Sequence, residues 1–424
     1  MKRYLKAIVV KIIWSQVDRL RATHSPLVIA VAGSIGKTGT KRAIATVLSE
    51  TKKVRWQDGN YNDIVSVPLI FFGLDMPSLL NPFGWLKVFY RAERQIRGEY
   101  EPDIVVLELG TDYDGNMDEF VQRLKVDYGV LTAISAEHMV NFADMDEVAK
   151  EELKITQIAG IVLANADQID KKYQKFESGS LLYGDGPYDC SINASKLTKD
   201  LYRPVNFSLP KFKQKVSVKT RMIGRQNLPG LAVAAQLGFI LGLSNEQVTR
   251  GLEKVKPFAG RMQLLLGKKQ SLLIDDTYNA SPEAIIAALG TLYEVPGNQK
   301  IAVLGQMNEL GTFSKEMHTN VGKACDPKQL DLVVTIGDDA NEYLAASAEK
   351  NGCRVVRCPS PYHAADIVKP LLKKSTIVLL KGSQNGVFAE EVTRELLQKS
   401  SDSVKLVRQS PTWLSVKAKQ FRNV

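Results

Sequence analysis

The residues best suited to chemistry are Gly33-Ser34-Ile35-Gly36-Lys37-Thr38. Two glycines three apart let the backbone turn tightly and approach a ligand with no Cβ in the way. The N–H groups of such a turn, opening into a helix N-terminus, form a socket for phosphate. Lys37 adds a point charge for β- and γ-phosphates, and the Thr38 hydroxyl suits Mg²⁺. The general phosphate-loop pattern asks for a further glycine where Val31 stands, so only the shorter Gly-Ser-x-Gly-Lys-Thr form is met. Glu108 ends the apolar run 104–107, and His138 follows the run 128–134. Ligands of open α/β sheets gather at the carboxyl ends of strands. Glu108 is thereby placed to hold Mg²⁺ or an activated water, and His138 to ligate a metal.

The elements that must position these groups are readable in the same stretch. Residues 28–31 form a β-branched run suited to a strand covered on both faces. A helix is expected over 41–50. The loop Gly59-Asn60-Tyr61-Asn62-Asp63 is rich in turn formers, and its asparagines are candidate substrate contacts. Residues 81–97 read as an amphipathic helix, with Trp85, Val88, Phe89, Ala92 and Ile96 on one side. A helix over 145–155 carries Lys150, Glu151, Glu152 and Lys154, and a strand is expected over 161–167. Residues 180–220 alternate in short β-like segments, before an Ala-rich helix over 231–241. Residues 257–261 read as a hinge. A second series of strands, 271–275, 301–304, 332–336 and 376–380, then alternates with helices and predicts a second parallel-sheet domain.

The chain has 424 residues, 44% hydrophobic and 24% charged, enough for two or three globular domains. Its formal net charge of +10 is diffuse. That favours acidic small molecules or anionic lipid over nucleic acid, which is not expected as a partner. The spacing of Cys190, Cys325, Cys353 and Cys358 fits neither a zinc site nor a disulfide framework, so reducing cytoplasm is expected. No run reaches the roughly 18 apolar residues of a membrane span. Charges interrupt the first 26 residues, which excludes a secretory signal. Those residues instead form a basic amphipathic helix, with Leu5, Ile8, Val9, Ile12, Ile13, Val17 and Leu20 at helical spacing. Two readings stay open for it: a peripheral membrane contact through residues 1–22, with Tyr4 and Trp14 at headgroup level, or a helix packed on its own domain.

Taken in order, the motifs resemble those of the Mur ligase family, the ATP-dependent amide-forming ligases of peptidoglycan precursors, and most of all its D-alanyl-D-alanine-adding (MurF-type) branch. The resemblance runs from about residue 26 to 395. Besides the phosphate loop it rests on Gly59-Asn60-Tyr61-Asn62, Leu107-Glu108-Leu109-Gly110, His138 with Phe142, Asn165-Ala166-Asp167 and Gly224-Arg225-Gln226-Asn227. In the second half it rests on Gly260-Arg261-Met262, Asp275-Asp276-Thr277-Tyr278-Asn279-Ala280, residues 304–311, His318 and Lys381-Gly382-Ser383. It implies an α/β fold: a basic helix over 1–25, a P-loop-type central ATP-binding domain with a mostly parallel sheet over 26–258, and a Rossmann-like C-terminal domain over 259–424.

The resemblance also implies the chemistry. ATP phosphorylates a substrate carboxylate, and an amine then attacks the acyl phosphate to give an amide, ADP and phosphate. The partners would be a carboxylate-bearing peptide or UDP-sugar-peptide and an amino acid or dipeptide, and the enzyme a monomer. Lys37, Glu108 and His138 would be the catalytic groups. Gly33, Ser34, Gly36, Lys37, Thr38, Asn227, Arg261, Asp276, Tyr278 and Asn279 would bind ATP. Thr38, Glu108, His138 and Glu152 would hold Mg²⁺, and Asn60, Asn62, Lys381 and Ser383 would contact substrates.

Four departures from the family pattern stand out. Glu152 occupies the place of a carbamylated lysine, with Lys150 or Lys154 as alternatives after a register shift. Ala133 replaces an asparagine. Gly39 replaces a threonine, and Gly230 an asparagine near adenine. Finally, the phosphate loop begins at residue 33, which leaves no room ahead of it for the family's UDP-sugar-binding domain. Three functions follow as candidates: a MurF-like ligase, a ligase of the same fold on a lipid-linked or polymeric carboxylate, and a membrane-associated ATP-binding scaffold without ligation.

Overall fold

The computed structural model describes residues 2–59, 61–136, 139–177 and 179–421, with side chains from Tyr4 onward. The chain folds into two compact units. The first takes the chain up to 194 together with 205–220 and 227–255, and the second takes 195–204, 221–226 and the chain from 256 onward.

The first unit opens with α1 (Lys2–His24), β1 (Leu27–Ala32), α2 (Lys37–Leu48), β2 (Val54–Arg55), α3 (Val67–Phe72), α4 (Pro82–Arg97) and β3 (Ile104–Glu108). It continues through α5 (Asn116–Val121), β4 (Val126–Leu131), α6 (Met145–Leu153), β5 (Ala159–Asn165), β6 (Leu181–Gly184), β7 (Cys190–Ala194), β8 (Arg203–Leu209), β9 (Gln214–Thr220), α7 (Leu228–Ile240) and α8 (Asn245–Lys254). The strands order as β2-β3-β1-β4-β5-β6-β7-β8-β9. Pairing is parallel from β2 to β7 and turns antiparallel between β7 and β8. The central strands β1 and β3 are buried along almost their whole length, as their continuous β-branched runs require of a sheet covered on both faces. Their register pairs Val31 with Glu108 and Ala32 with Leu131 of β4. The phosphate loop, the Glu108 carboxylate and the end of β4 therefore leave the sheet side by side.

The second unit holds β10 (Gln263–Gly267), β11 (Ser271–Asp275), α9 (Pro282–Glu294), β12 (Gln299–Gly305), α10 (Ser314–Ala324), β13 (Leu332–Ile336), α11 (Ala345–Lys350), β14 (Val355–Cys358), α12 (Pro361–Leu371), β15 (Thr376–Lys381), α13 (Glu390–Leu396) and α14 (Pro411–Gln420). Its sheet orders β10-β11-β15-β12-β13-β14, parallel except for the β10–β11 edge pair. Apolar clusters cover both faces of this sheet. The doubly covered α/β architecture expected from the alternating pattern is thus present in both units.

The first helix packs on its own unit. Val9, Ile13, Trp14, Val17 and Leu20 are buried in the first unit's core, against α3 and α4. Trp14 cannot lie at headgroup level: its indole N–H donates to Ile64 O at 2.8 Å, and its ring meets the edge of Phe120. Gln16 donates to Phe89 O, and Arg19 forms a bidentate pair with Glu93. Among the described residues no helix is long and apolar enough to cross a membrane. Replacing Trp14 with alanine is expected to cost about 3–5 kcal/mol, as for other buried aromatic truncations. Tyr4→Ala, on the exposed side of the same helix, should stay within about 0.5 kcal/mol. Urea unfolding of the two variants checks this.

Candidate active site

The phosphate loop is held by two features that only glycine permits. Gly33 has φ +124°, and a Cβ there would sit 2.2 Å from Thr132 Oγ1 and 2.9 Å from Ala133 N. Gly36 has φ +86° and is the residue that caps α2, with no side chain satisfying the helix terminus. The first intrahelical donation comes from Thr40 to Gly36 O, so the preceding N–H groups have no partner within the helix, as an anion site requires. Across the turn, Ser34 N donates to Ala133 O, and Thr132 Oγ1 donates to Ala32 O and Ile35 O. Ala133, which stands where the family has an asparagine, is part of this clamp through its backbone. Lys37 folds back so that its ammonium donates to Gly33 O and Ser34 O. This rests the charge on the loop that would receive phosphate.

Beside the loop lies a buried polar relay. Thr38 Oγ1 donates to Glu108 Oε1 at 3.0 Å, and Lys41 Nζ sits 2.9 Å from Glu108 Oε2. Lys41 has no exposed surface, so its charge is offset by Glu108. Sequence reasoning passed over Lys41. The signal was its spacing: four residues after Lys37 and three after Thr38, it shares their face of α2. Glu152, also buried, accepts from Thr111 Oγ1 at 2.7 Å and from Ser34 Oγ at 3.3 Å. Its carboxylate therefore reaches the phosphate loop. The two lysines near it do not: Lys154 is bound to Glu151 and Asp118, and Lys150 is exposed. Glu151 accepts from the backbone N–H groups of Gly115 and Met117 and shapes that loop.

Asn62 is brought to the same strand end, since its carbonyl accepts from Gly110 N at 2.7 Å, two residues past Glu108. Asn60 and His138 lie outside the described residues. Asn227 begins α7, and its Nδ2 is a buried donor without a hydrogen-bond partner, which suits an acceptor on a bound base. Gly230 stands on the same helix against α2, where a Cβ would be 3.0 Å from Thr40 Oγ1. A larger side chain would press on Thr40, so the glycine suits close helix packing. At Gly39, in contrast, a Cβ would meet nothing within 4 Å.

The second unit gathers the other candidates around the turn after β11. Asp276 is buried; its Oδ1 accepts from Met262 N at 3.0 Å and its Oδ2 pairs with Lys381 Nζ at 2.7 Å. Lys381 also donates to Asn279 O. Ser383 Oγ accepts from Asn308 N and donates to Ala280 O. The Arg261 guanidinium lies over the Tyr278 ring, 4.4 Å from its centroid. Arg408, far along the chain, donates to Thr277 O and Tyr278 O and forms a bidentate pair with buried Glu390. No local motif marks Arg408, because its partners come from two segments far from it in sequence, the 277–278 turn and α13.

Mg²⁺ keeps several waters and is usually bound by one or two carboxylates together with substrate phosphates. Among the described residues no group of three His, Cys, Asp or Glu side chains forms a metal cage. The Thr38 hydroxyl beside the Glu108 carboxylate, at an open helix terminus, nevertheless fits that mode of binding.

Burial, joined by the nearby carboxylates Asp276 and Glu390, pushes the Asp275 carboxyl up to about 6, although Thr277 and Thr393 hydroxyls donate to it. Protonated Asp275 is thus favoured by the fold. The contribution is complete below about pH 4 and is lost as pH rises through about 6. The linked change is about 3 kcal/mol. Asp275→Asn should flatten this part of the stability–pH curve between pH 4 and 6, as measured by urea unfolding at several pH values.

Comparison with known proteins gives the chain's family and relatives. The Mur ligase middle domain matches residues 31–238, and the Mur ligase glutamate ligase domain matches residues 260–384. The chain is 26% identical over 384 residues to the UDP-N-acetylmuramoyl-tripeptide–D-alanyl-D-alanine ligase of Escherichia coli, covering 87% of this chain and 76% of that protein. It is 27% identical over 388 residues to the Bacillus subtilis enzyme of the same name, covering 88% and 76%. The solved MurF ligase of Thermotoga maritima in complex with ADP superposes with TM-score 0.75 at 23% identity, over 94% of this chain and 84% of that one. The Mycobacterium tuberculosis folylpolyglutamate synthase shares the fold with TM-score 0.64 at 16% identity, over 94% and 99%.

Proposed function

Given that this chain belongs to the Mur ligase family, we propose that it is a MurF-type ligase, joining D-Ala-D-Ala to UDP-MurNAc-tripeptide at the expense of ATP. The observation that carries this reading is the Gly33–Thr38 loop with Glu108 at its side. It is a phosphate site whose strand neighbour supplies a carboxylate, in a chain related along most of its length to enzymes of that name.

In the first step a substrate carboxylate oxygen attacks the γ-phosphorus of ATP, and the bond to the β,γ-bridging oxygen breaks to release ADP. In the second, the incoming amine attacks the acyl carbon, expels phosphate and loses a proton. Phosphoryl transfer asks for positioning and charge neutralisation rather than covalent help. The loop N–H groups would bind the phosphates, and Lys37 would leave its resting carbonyls to meet the γ-phosphate. Thr38, Glu108, Glu152 and His138 are the residues to hold Mg²⁺, which when bound neutralises the phosphates and orients the terminal group. Lys41 holds Glu108 Oε2 in place across 2.9 Å. Asn227 Nδ2 would donate to an acceptor on the adenine edge, and Asp276, Tyr278, Asn279 and Arg261 of the second unit would be the residues there that meet nucleotide. Asn60 and Asn62 on the first unit would contact substrate, and Lys381 and Ser383 on the second would hold the 276–280 turn in shape.

Phosphate release from ATP and Mg²⁺ should require both UDP-MurNAc-tripeptide and D-Ala-D-Ala, with the pentapeptide product seen by mass spectrometry. Release with neither substrate combination would refute this assignment. Lys37→Ala should lower kcat by about 10²–10³-fold or more, as for loss of a preorganised charge partner. Glu152→Ala should also lose activity, and bicarbonate should change neither variant nor wild type. A bicarbonate-dependent gain in the wild type would mean that a carbamylated lysine serves instead.

A further inference from the structure

The side of α1 that faces away from the core is not uniformly polar. Tyr4, Ile8 and Ile12 are exposed there, and so are Phe83, Leu86 and Tyr90 of the neighbouring α4, with relative exposures from 38% to 81%. The two helices run parallel: Gln16 meets Phe89, Arg19 meets Glu93, and His24 meets Ile96. Two turns back from the Arg19–Glu93 pair, the same faces carry Ile12 and Leu86. Ile8 and Tyr4 extend the row along α1, and Phe83 and Tyr90 extend it along α4. Six large apolar side chains thus form one outward stripe across two helices that are themselves anchored in the core by Trp14, Val17, Trp85 and Val88. Scattered exposed apolar residues need no explanation, but a contiguous stripe does.

The surrounding charge says what covers it. From residue 4 to 24 and from 82 to 97 these helices carry eight lysines and arginines against two acids, Asp18 and Glu93. Glu93 is already paired with Arg19 and Arg97. Lys11, Lys87, Arg91 and Arg94 are exposed around the stripe. An apolar ridge with aromatic residues and a basic border is the surface of a peripheral membrane helix pair: the ridge enters the acyl boundary and the cations meet anionic headgroups. A second copy of this chain would bring like charge against like charge. We propose that the α1–α4 face is a docking surface for anionic lipid bilayers. This surface is independent of the ligase reading, and it differs from an anchor made by α1 alone because half of its apolar groups come from α4.

The test is sedimentation of the full chain with vesicles of phosphatidylglycerol and phosphatidylcholine, and with vesicles of phosphatidylcholine alone. Binding should appear only with the anionic vesicles and weaken as salt is raised. The variant Ile8→Ser/Leu86→Ser/Tyr90→Ser should reduce binding at least about tenfold, consistent with loss of buried apolar area. Lys87→Glu/Arg91→Glu should reduce it comparably. Both variants should keep the wild-type melting curve, since these side chains are exposed. No binding to anionic vesicles, or equal binding by wild type and both variants, would overturn the proposal. So would a salt-resistant dimer in sedimentation velocity that the apolar variant dissolves, because the stripe would then be an interface between copies. Ligase activity without vesicles reports on the active site separately.

Discussion

One missing atom governs the first unit. A Cβ on Gly33 would overlap the Thr132 hydroxyl, so only glycine lets β1 turn back against the end of β4. That close approach allows Ser34 N to reach Ala133 O and Thr132 to tie Ile35 O. These bonds fix the loop before any ligand arrives. Preorganised donors need not be rearranged when phosphate binds, which is why such sites sit on rigid strand ends rather than on free loops.

The remaining parts of the site follow from the register of three parallel strands. Pairing Val31 with Glu108 puts that carboxylate next to α2, where Thr38 and Lys41 meet its two oxygens. A buried carboxylate alone would be costly, and the buried ammonium offsets it; removing either partner leaves an uncompensated charge. Glu152 approaches from α6 and joins Ser34. Helix α2 is in turn packed closely by α7 at Gly230, where a Cβ would lie 3.0 Å from Thr40 Oγ1. Phosphate loop, carboxylates and the Asn227 helix are therefore one packed body.

The second unit solves a similar problem with charge. Asp275 and Asp276 are adjacent and buried at the end of β11. Lys381 neutralises Asp276, while Asp275 has no cation beside it among the described residues, and burial makes it hold its proton to higher pH in spite of the hydroxyl donors it accepts from. Arg408 and Lys417, both from the chain after α13, pair with Glu390, and Arg408 also grips the 277–278 carbonyls. The C-terminal segment is thus a strap on the candidate nucleotide turn. Such networks rigidify a turn when every member is satisfied.

What the sequence by itself determined was local. The tight turn at Gly33–Thr38 was legible because glycine spacing and a following helix are properties of neighbouring residues. The strands at 28–31, 104–108, 271–275 and 376–380 were legible for the same reason: β-branched apolar runs bounded by turns have few other uses. The ordered motifs carried the family and, with it, the α/β fold. Tertiary structure decided what depends on distant partners. Amphipathic spacing in residues 4–20 is equally compatible with a membrane and with a core. The Ile64 carbonyl and the α4 surface, many residues away, settle that Trp14 turns inward while Ile8 and Ile12 stay out. Glu152 was legible in the sequence ahead of Lys150 and Lys154, but its partners Ser34 and Thr111 were not visible, because they depend on which side of α6 faces the loop. Lys41, Gly230 and Arg408 gained their meaning only from contacts with Glu108, Thr40 and the 277–278 turn. Periodicity tells which residues share a face; only packing tells what that face meets.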